Sequence, residues 1–120
     1  MESFMRLKKL SNRLVLDLIG DDINQTEFDV HLKSIKGLKR FKELYVNIAN
    51  LENINNSVIS KFIKMRTSLS DKEISFINVN PVQNALLNIF QIDKMFQIYM
   101  NKADAFAGKK PVINRKFRIV

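Results

Sequence analysis

The hydrophobic pattern divides the chain into short strands and helices that mostly alternate. Phe4–Leu10 and Arg13–Ile19 read as two strands around a Ser11-Asn12 turn. In the second, Leu14, Leu16 and Leu18 alternate with Val15, Asp17 and Ile19, so one face is wholly apolar. Gly20-Asp21-Asp22 breaks this pattern. Asn24 and Glu27 have the spacing of a helix N-terminal capping pair, and Phe28, Leu32, Ile35 and Leu38 follow at helical spacing. Leu44–Ala49 is apolar except at Asn47 and predicts a strand buried on both faces, as in a parallel, helix-covered sheet. A polar loop, Asn50–Asn56, carries two apolar anchors, Leu51 and Ile54. It leads into a helix from about Ser57 to Leu69, with Val58, Ile59, Phe62, Ile63, Met65 and Leu69 on its broad apolar face. Lys61, Lys64 and Thr67 fall on the other side.

After a Ser70-Asp71-Lys72 turn, Glu73–Val79 predicts another buried strand. Asn80-Pro81 with Gln83 is a strong helix start: a capping Asn, a Pro in the first turn and a Gln at the box position. Val82, Leu86, Ile89 and Phe90 are the expected buried stripe of that helix. Met95–Met100 reads as a last short strand, and Ala103–Ala107 as a short helix stopped by Gly108. The order β-β-α-β-α-β-α-β-α implies an α/β fold with right-handed crossovers. The expected sheet is mixed, mostly parallel and four- to five-stranded, with about four helices. Residues 1–108 form the expected domain and 109–120 a tail.

Composition sharpens this picture in two ways. The net charge of +8 over 120 residues is concentrated at one end. Lys109, Lys110, Arg115, Lys116 and Arg118 lie in the tail with no acid among them, which leaves 15 basic and 12 acidic residues before it. A basic tail serves solubility or meets an anionic surface, either nucleic acid or membrane. The 46% hydrophobic content is enough for a core, and the absence of cysteine excludes disulfides, thiolate nucleophiles and cysteine-based zinc sites. No apolar run reaches the roughly 20 residues needed to span a bilayer, and cytoplasmic residence is the expectation.

Catalytic chemistry has little support. The single histidine, His31, flanks an apolar stripe and reads as a packed residue. Asp21 and Asp22 are adjacent acids in a turn, and Gly20, Gly37 and Gly108 are too far apart for a phosphate loop. No cofactor or metal is expected. The informative segment is the turn into the helix at Ser57. It lies beyond the carboxyl end of a parallel strand, where ligands and partners of open α/β sheets gather. Capping explains Asn56 and Ser57 by itself. A helix N-terminus also accepts an anion, so a phosphate on Ser57 would be tolerated there.

From Leu14 to Phe106 the chain resembles the STAS domain family of bacterial anti-sigma factor antagonists. The resemblance rests on Leu14-Val-Leu-Asp-Leu-Ile-Gly20, Tyr45-Val-Asn-Ile-Ala-Asn-Leu51, Ile54-Asn-Asn-Ser-Val-Ile59, Phe76-Ile-Asn-Val-Asn-Pro81 and Phe90-Gln-Ile-Asp-Lys-Met-Phe96, in the family's order. It implies a non-enzymatic, cytoplasmic protein-interaction module that regulates transcription by switching partners. It also implies that Ser57 is the phospho-acceptor for a regulatory serine kinase, itself an anti-sigma factor. Asn24 and Asn47 stand where the family often has acids near that site. Asn55 replaces the motif's Asp and Asn56 a small residue. Val58 replaces its Gly, placing a β-branched side chain where a partner would approach, and Gln91 replaces another common Gly. These departures leave a second expectation, a constitutive docking subunit of a transporter or signalling complex. A third is binding to an anionic surface through the tail.

Overall fold

The computed structural model describes residues 4–10, 12–38 and 40–112. Ser11 of the first turn, and Ile113, Arg115, Lys116, Phe117, Arg118, Ile119 and Val120 of the tail, lie outside the described residues. The elements run β1 (Phe4–Leu10), β2 (Arg13–Gly20), α1 (Gln25–Gly37), β3 (Glu43–Leu51), α2 (Asn56–Ser68), β4 (Glu73–Ile77), α3 (Pro81–Ile89), a 3-10 turn (Ile92–Lys94), β5 (Gln97–Ile98) and α4 (Lys102–Phe106). They form one five-stranded sheet in the order β1-β2-β3-β4-β5, with β1 antiparallel to β2 and every other pair parallel. This is the mixed, mostly parallel α/β fold expected from the sequence.

The sequential strand order determines the layering. Right-handed crossovers that always step to the next strand in one direction leave every connecting helix on the same face. The main core lies on that face. It joins Leu14, Leu16 and Leu18 of β2, Leu44, Val46 and Ile48 of β3, and Ile74 and Phe76 of β4 to the inner sides of the helices. Phe62, Phe76 and Phe96 run through it with centroid separations of 4.7 and 4.8 Å. Among the described residues, the one helix on the opposite face is α4. There Val15, Tyr45, Ile77, Tyr99 and Ala105 make a second, smaller cluster against Phe106.

Several local expectations are corrected. β4 ends at Ile77 rather than Val79, because Asn78 turns to φ 58° and leaves the extended region. β5 shrinks to two residues after Gln91 at φ 60° and the 3-10 turn. Gln91 stands where the resembling family favours Gly, and its left-handed backbone supplies the reason for that preference. Asn24 caps α1 by accepting from the Glu27 N–H at 2.9 Å. The Glu27 carboxylate accepts from the Met5 N–H of β1, tying α1 to the edge strand. His31 is half-buried against Met5, Leu16, Phe28 and Met65, with Glu27 at 4.0 Å.

The sharpest correction concerns α3. Val82 and Ile89 are 69% and 65% exposed, and Leu86 and Phe90 are only partly covered. The buried pair is Gln83 and Leu87, one step around the helix from the expected stripe. Lys61, expected on the solvent side of α2, is also buried.

Tyr45 gives the outer cluster a signature in pH. Its ring meets Phe106 edge-on at 4.8 Å, and its hydroxyl donates to Glu43. Burial first, and then the hydrogen bond to Glu43, push its pKa up from 10.0 to about 12. The folded phenol therefore holds its proton more tightly than the unfolded one. This stabilisation is complete below the unfolded value and is lost as pH climbs from 10.0 to about 12. Denaturant midpoints measured across that window should fall steeply for the native chain and more gently for Tyr45→Phe, which keeps the ring contact. Parallel slopes would show that Tyr45 does not carry the effect.

Candidate functional site

Four parallel strands leave the carboxyl end of the sheet and each is followed by an asparagine cap; Asn101 caps the short α4, and the other three caps open the long helices. Asn24 caps α1, Asn55 caps α2 and Asn80 caps α3. An asparagine oxygen suits this position because it accepts a backbone N–H that has no intrahelical partner. Three positive helix ends therefore gather at one end of the molecule.

The middle turn leads to Ser57. Its path is set by two buried anchors, Leu51 and Ile54, with Glu52, Asn53, Asn55, Asn56 and Ser57 on the surface. The Glu52 N–H donates to the Gly20 carbonyl at 2.7 Å, and Asn53 Nδ2 reaches the Asp21 carbonyl at 3.5 Å, joining this turn to the one after β2. Gln83 fixes the start of the turn from beneath. Its Nε2 donates to the carbonyls of Ile48 at 2.8 Å and Leu51 at 3.0 Å. Its Oε1 accepts from the Asn80 N–H at 3.0 Å, while its own N–H donates to Asn80 Oδ1 at 2.8 Å. One amide thus closes the end of β3 and the start of α3.

The cap of α2 is Asn55, one residue earlier than expected, and its Oδ1 accepts from the Val58 N–H at 3.0 Å. Ser57 is therefore the second residue of the helix, and its hydroxyl is free of capping duty. Lys61, one turn on and only 7% exposed, donates from Nζ to Ser57 Oγ at 2.7 Å. Lys64, a further turn along, pairs with Asp29 of α1 at 2.9 Å. Its hydrogen bond is the largest of several interactions that hold the Asp29 carboxyl below its ordinary range.

The residues singled out in the sequence do not all meet here. Asn55, Asn56 and Ser57 do. Asn24 sits at the same end of the sheet on the neighbouring turn. Val58 is fully buried in the main core, so its bulk faces inward and is not offered to a partner. Asn47 points from the outer sheet face, where Nδ2 donates to Asp17 Oδ1 at 2.9 Å and Oδ1 accepts from Asn78 Nδ2 at 3.1 Å. That chain runs on from Lys8, 3.4 Å from Asp17, to the Lys102 N–H, which donates to Asn78 Oδ1 at 3.1 Å. Among the described residues no hydrogen bond joins Asn24 or Asn47 to Ser57. Of the tail cations, Lys109 pairs with Asp104 at 3.4 Å and Lys110 is exposed. Lys61 and Gln83 belong to the site and were missed from the sequence. Lys61 stands four residues after Ser57, the helical spacing that places it beside the hydroxyl.

Among the described residues no cluster of His, Asp and Glu is arranged to hold a metal ion. No helix there is long and apolar enough to cross a membrane. A Gln83→Leu variant would strip two buried carbonyls of their donor. It should cost about 1–3 kcal/mol of unfolding free energy and speed amide exchange in residues 49–55. Unaltered exchange in that turn would show that the amide does not set its path.

No family model and no curated protein sequence matches the chain. Solved structures do match by fold. A STAS-domain anti-sigma-factor antagonist from Planctomyces limnophilus superposes with a TM-score of 0.72 at 14% identity, over 87% of this chain and 96% of that one. An anti-sigma factor antagonist from Mycobacterium paratuberculosis gives 0.70 at 13% identity, over 89% and 93%. The Bacillus cell fate determinant SpoIIAA in its phosphorylated form gives 0.65 at 10% identity, over 88% and 98%. With its five-stranded mixed sheet and its helices in that order, the chain has the STAS-domain fold.

Proposed function

We propose that this chain is a non-enzymatic protein-interaction module of the anti-sigma factor antagonist type. In this reading it binds a regulatory serine kinase or other anti-sigma partner through the turn Asn53–Ser57, and phosphorylation of Ser57 controls that binding. The observation that carries it is the Ser57 hydroxyl, exposed at the second position of α2 and held by the buried ammonium of Lys61. The α2 first turn contains no acid. A phosphate there would meet a positive helix end and Lys61 together, so the fold would accept it. Outside the fold the same group adds about −1.5 to −2 charges to a turn whose other exposed side chains are mostly amides. A partner fitted to neutral amides would then meet a doubly charged group and be released. The likeness in fold to SpoIIAA in its phosphorylated form agrees with this reading. Asn55 in place of an acid does not weaken it, because its side chain caps the helix. Regulation of transcription in a bacterial cytoplasm is the setting that this reading implies.

Affinity capture from native lysate with three baits separates switching from constitutive docking. The unphosphorylated chain and Ser57→Ala should retain the same partner. Ser57→Asp should weaken its capture at least about tenfold, the equivalent of roughly 1.4 kcal/mol. Equal capture by all three would favour a docking subunit without a switch.

A further inference from the structure

We propose that the end of the molecule opposite Ser57 is a docking surface for an anionic lipid bilayer. Among the described residues of 33–42 are Lys33, Lys36, Arg40 and Lys42, and no acid. The fold brings the end of this segment together with the last residues of β1 and the turn between α2 and β4. It does so because β2, β3 and β4 all begin there, with Arg13, Glu43 and Glu73 in register. Lys9 and Arg40 flank an open cleft of about 300 Å³ whose other walls are Leu14, Gly37, Leu38 and Phe41. Lys72 joins from the next turn. Its Nζ donates to the Phe41 carbonyl at 3.0 Å and lies 4.8 Å from the centre of the Phe41 ring. Beside these cations, Leu38 and Leu10 are 39% and 43% exposed.

Some of this charge has ordinary work within the fold. Lys36 complements the carboxyl end of α1, and Arg66 holds the carbonyls of Leu69 and Lys72 at 2.6 and 2.7 Å. Arg13 pairs with Glu43 at 3.8 Å, and Lys72 lies 3.9 Å from Asp71. Lys9, Arg40 and Lys42 have no such work: among the described residues none of them pairs with a carboxylate.

Cations interleaved with exposed leucines match a bilayer surface, where headgroup phosphates meet the ammonium and guanidinium groups and the acyl boundary takes the leucines. Nucleic acid would satisfy the cations but leave Leu10 and Leu38 in water. Phe41, which lines the cleft, is buried and offers no stacking face. The nine residues of β3 separate this surface from the Ser57 turn, a span of roughly 25–30 Å. A chain lying on a bilayer by this end would hold Ser57 toward the aqueous phase. This inference does not depend on Ser57 being phosphorylated.

Flotation of the full chain with vesicles tests it, using phosphatidylcholine alone and phosphatidylcholine mixed with phosphatidylglycerol. Binding is expected only to the anionic vesicles and should fall as salt rises. The exposed-site double variant Arg40→Glu/Lys42→Glu should weaken it by more than tenfold, since each basic residue near the surface contributes about fivefold. Leu38→Ser should weaken it further at high salt, and removal of residues 113–120 should leave most of it. Circular dichroism confirms that the variants fold. The proposal is overturned if the anionic vesicles are not bound, or if the double variant binds as the native chain does. It is also overturned if removing residues 113–120 alone abolishes binding, or if a DNA duplex competes the chain off the vesicles.

Discussion

A single buried carboxamide fixes where the central strand stops. The last carbonyls of a parallel strand that turns out of a sheet lose their ladder partners and must find others when buried. Gln83 supplies them for Ile48 and Leu51 while closing the capping box of α3 with Asn80. Both donors of that amide and its oxygen are engaged inside the protein. The turn after β3 is therefore short and held at both ends, by the amide beneath and by the Asn55 cap above. Ser57 inherits its position from this bracket.

The layering explains why a small domain has two unlike ends. All three crossovers fall on one face, so their helices start at the carboxyl end of the sheet and finish at the other. Helix N-termini and asparagine caps collect around Ser57, and helix C-termini collect beside Lys9, Arg40 and Lys72. The outer face is left to α4 and to a polar chain from Lys8 through Asp17, Asn47 and Asn78. A partner read at one end need not compete with a surface engaged at the other.

Much of the fold was legible in the sequence, because β2 alternates cleanly, α2 carries a broad apolar face and Asn80-Pro81-Gln83 spells a helix start. The order of elements and the mixed sheet followed from those patterns. What was not legible depends on distant partners. Gln83 is buried because carbonyls more than thirty residues earlier require it, so the expected stripe on α3 is rotated by one position. Lys61 is buried because its stem covers the core while its head reaches Ser57, a placement that binary patterning assigns to solvent. Val58 lies inward as its helical spacing with Phe62 and Met65 requires, which overrides the expectation that its side chain meets a partner. Asn78 ends β4 early, and Gln91 with the 3-10 turn delays the start of β5, through left-handed backbones that a propensity reading does not anticipate. The place of Ser57 at the helix start beyond the carboxyl end of β3 was legible, whereas the cap at Asn55 that frees its hydroxyl was not.

The central claim is that the fold presents Ser57 as an acceptor and holds its phosphate without strain. The most direct measurement is site-resolved mass spectrometry of the purified chain after incubation with ATP and extract from its own cells, with Ser57→Ala run in parallel. The account predicts phosphate on Ser57 and its loss in the variant, with native-like circular dichroism retained by the phosphorylated chain. Phosphate confined to other residues, or a phosphorylated chain that unfolds, would contradict it.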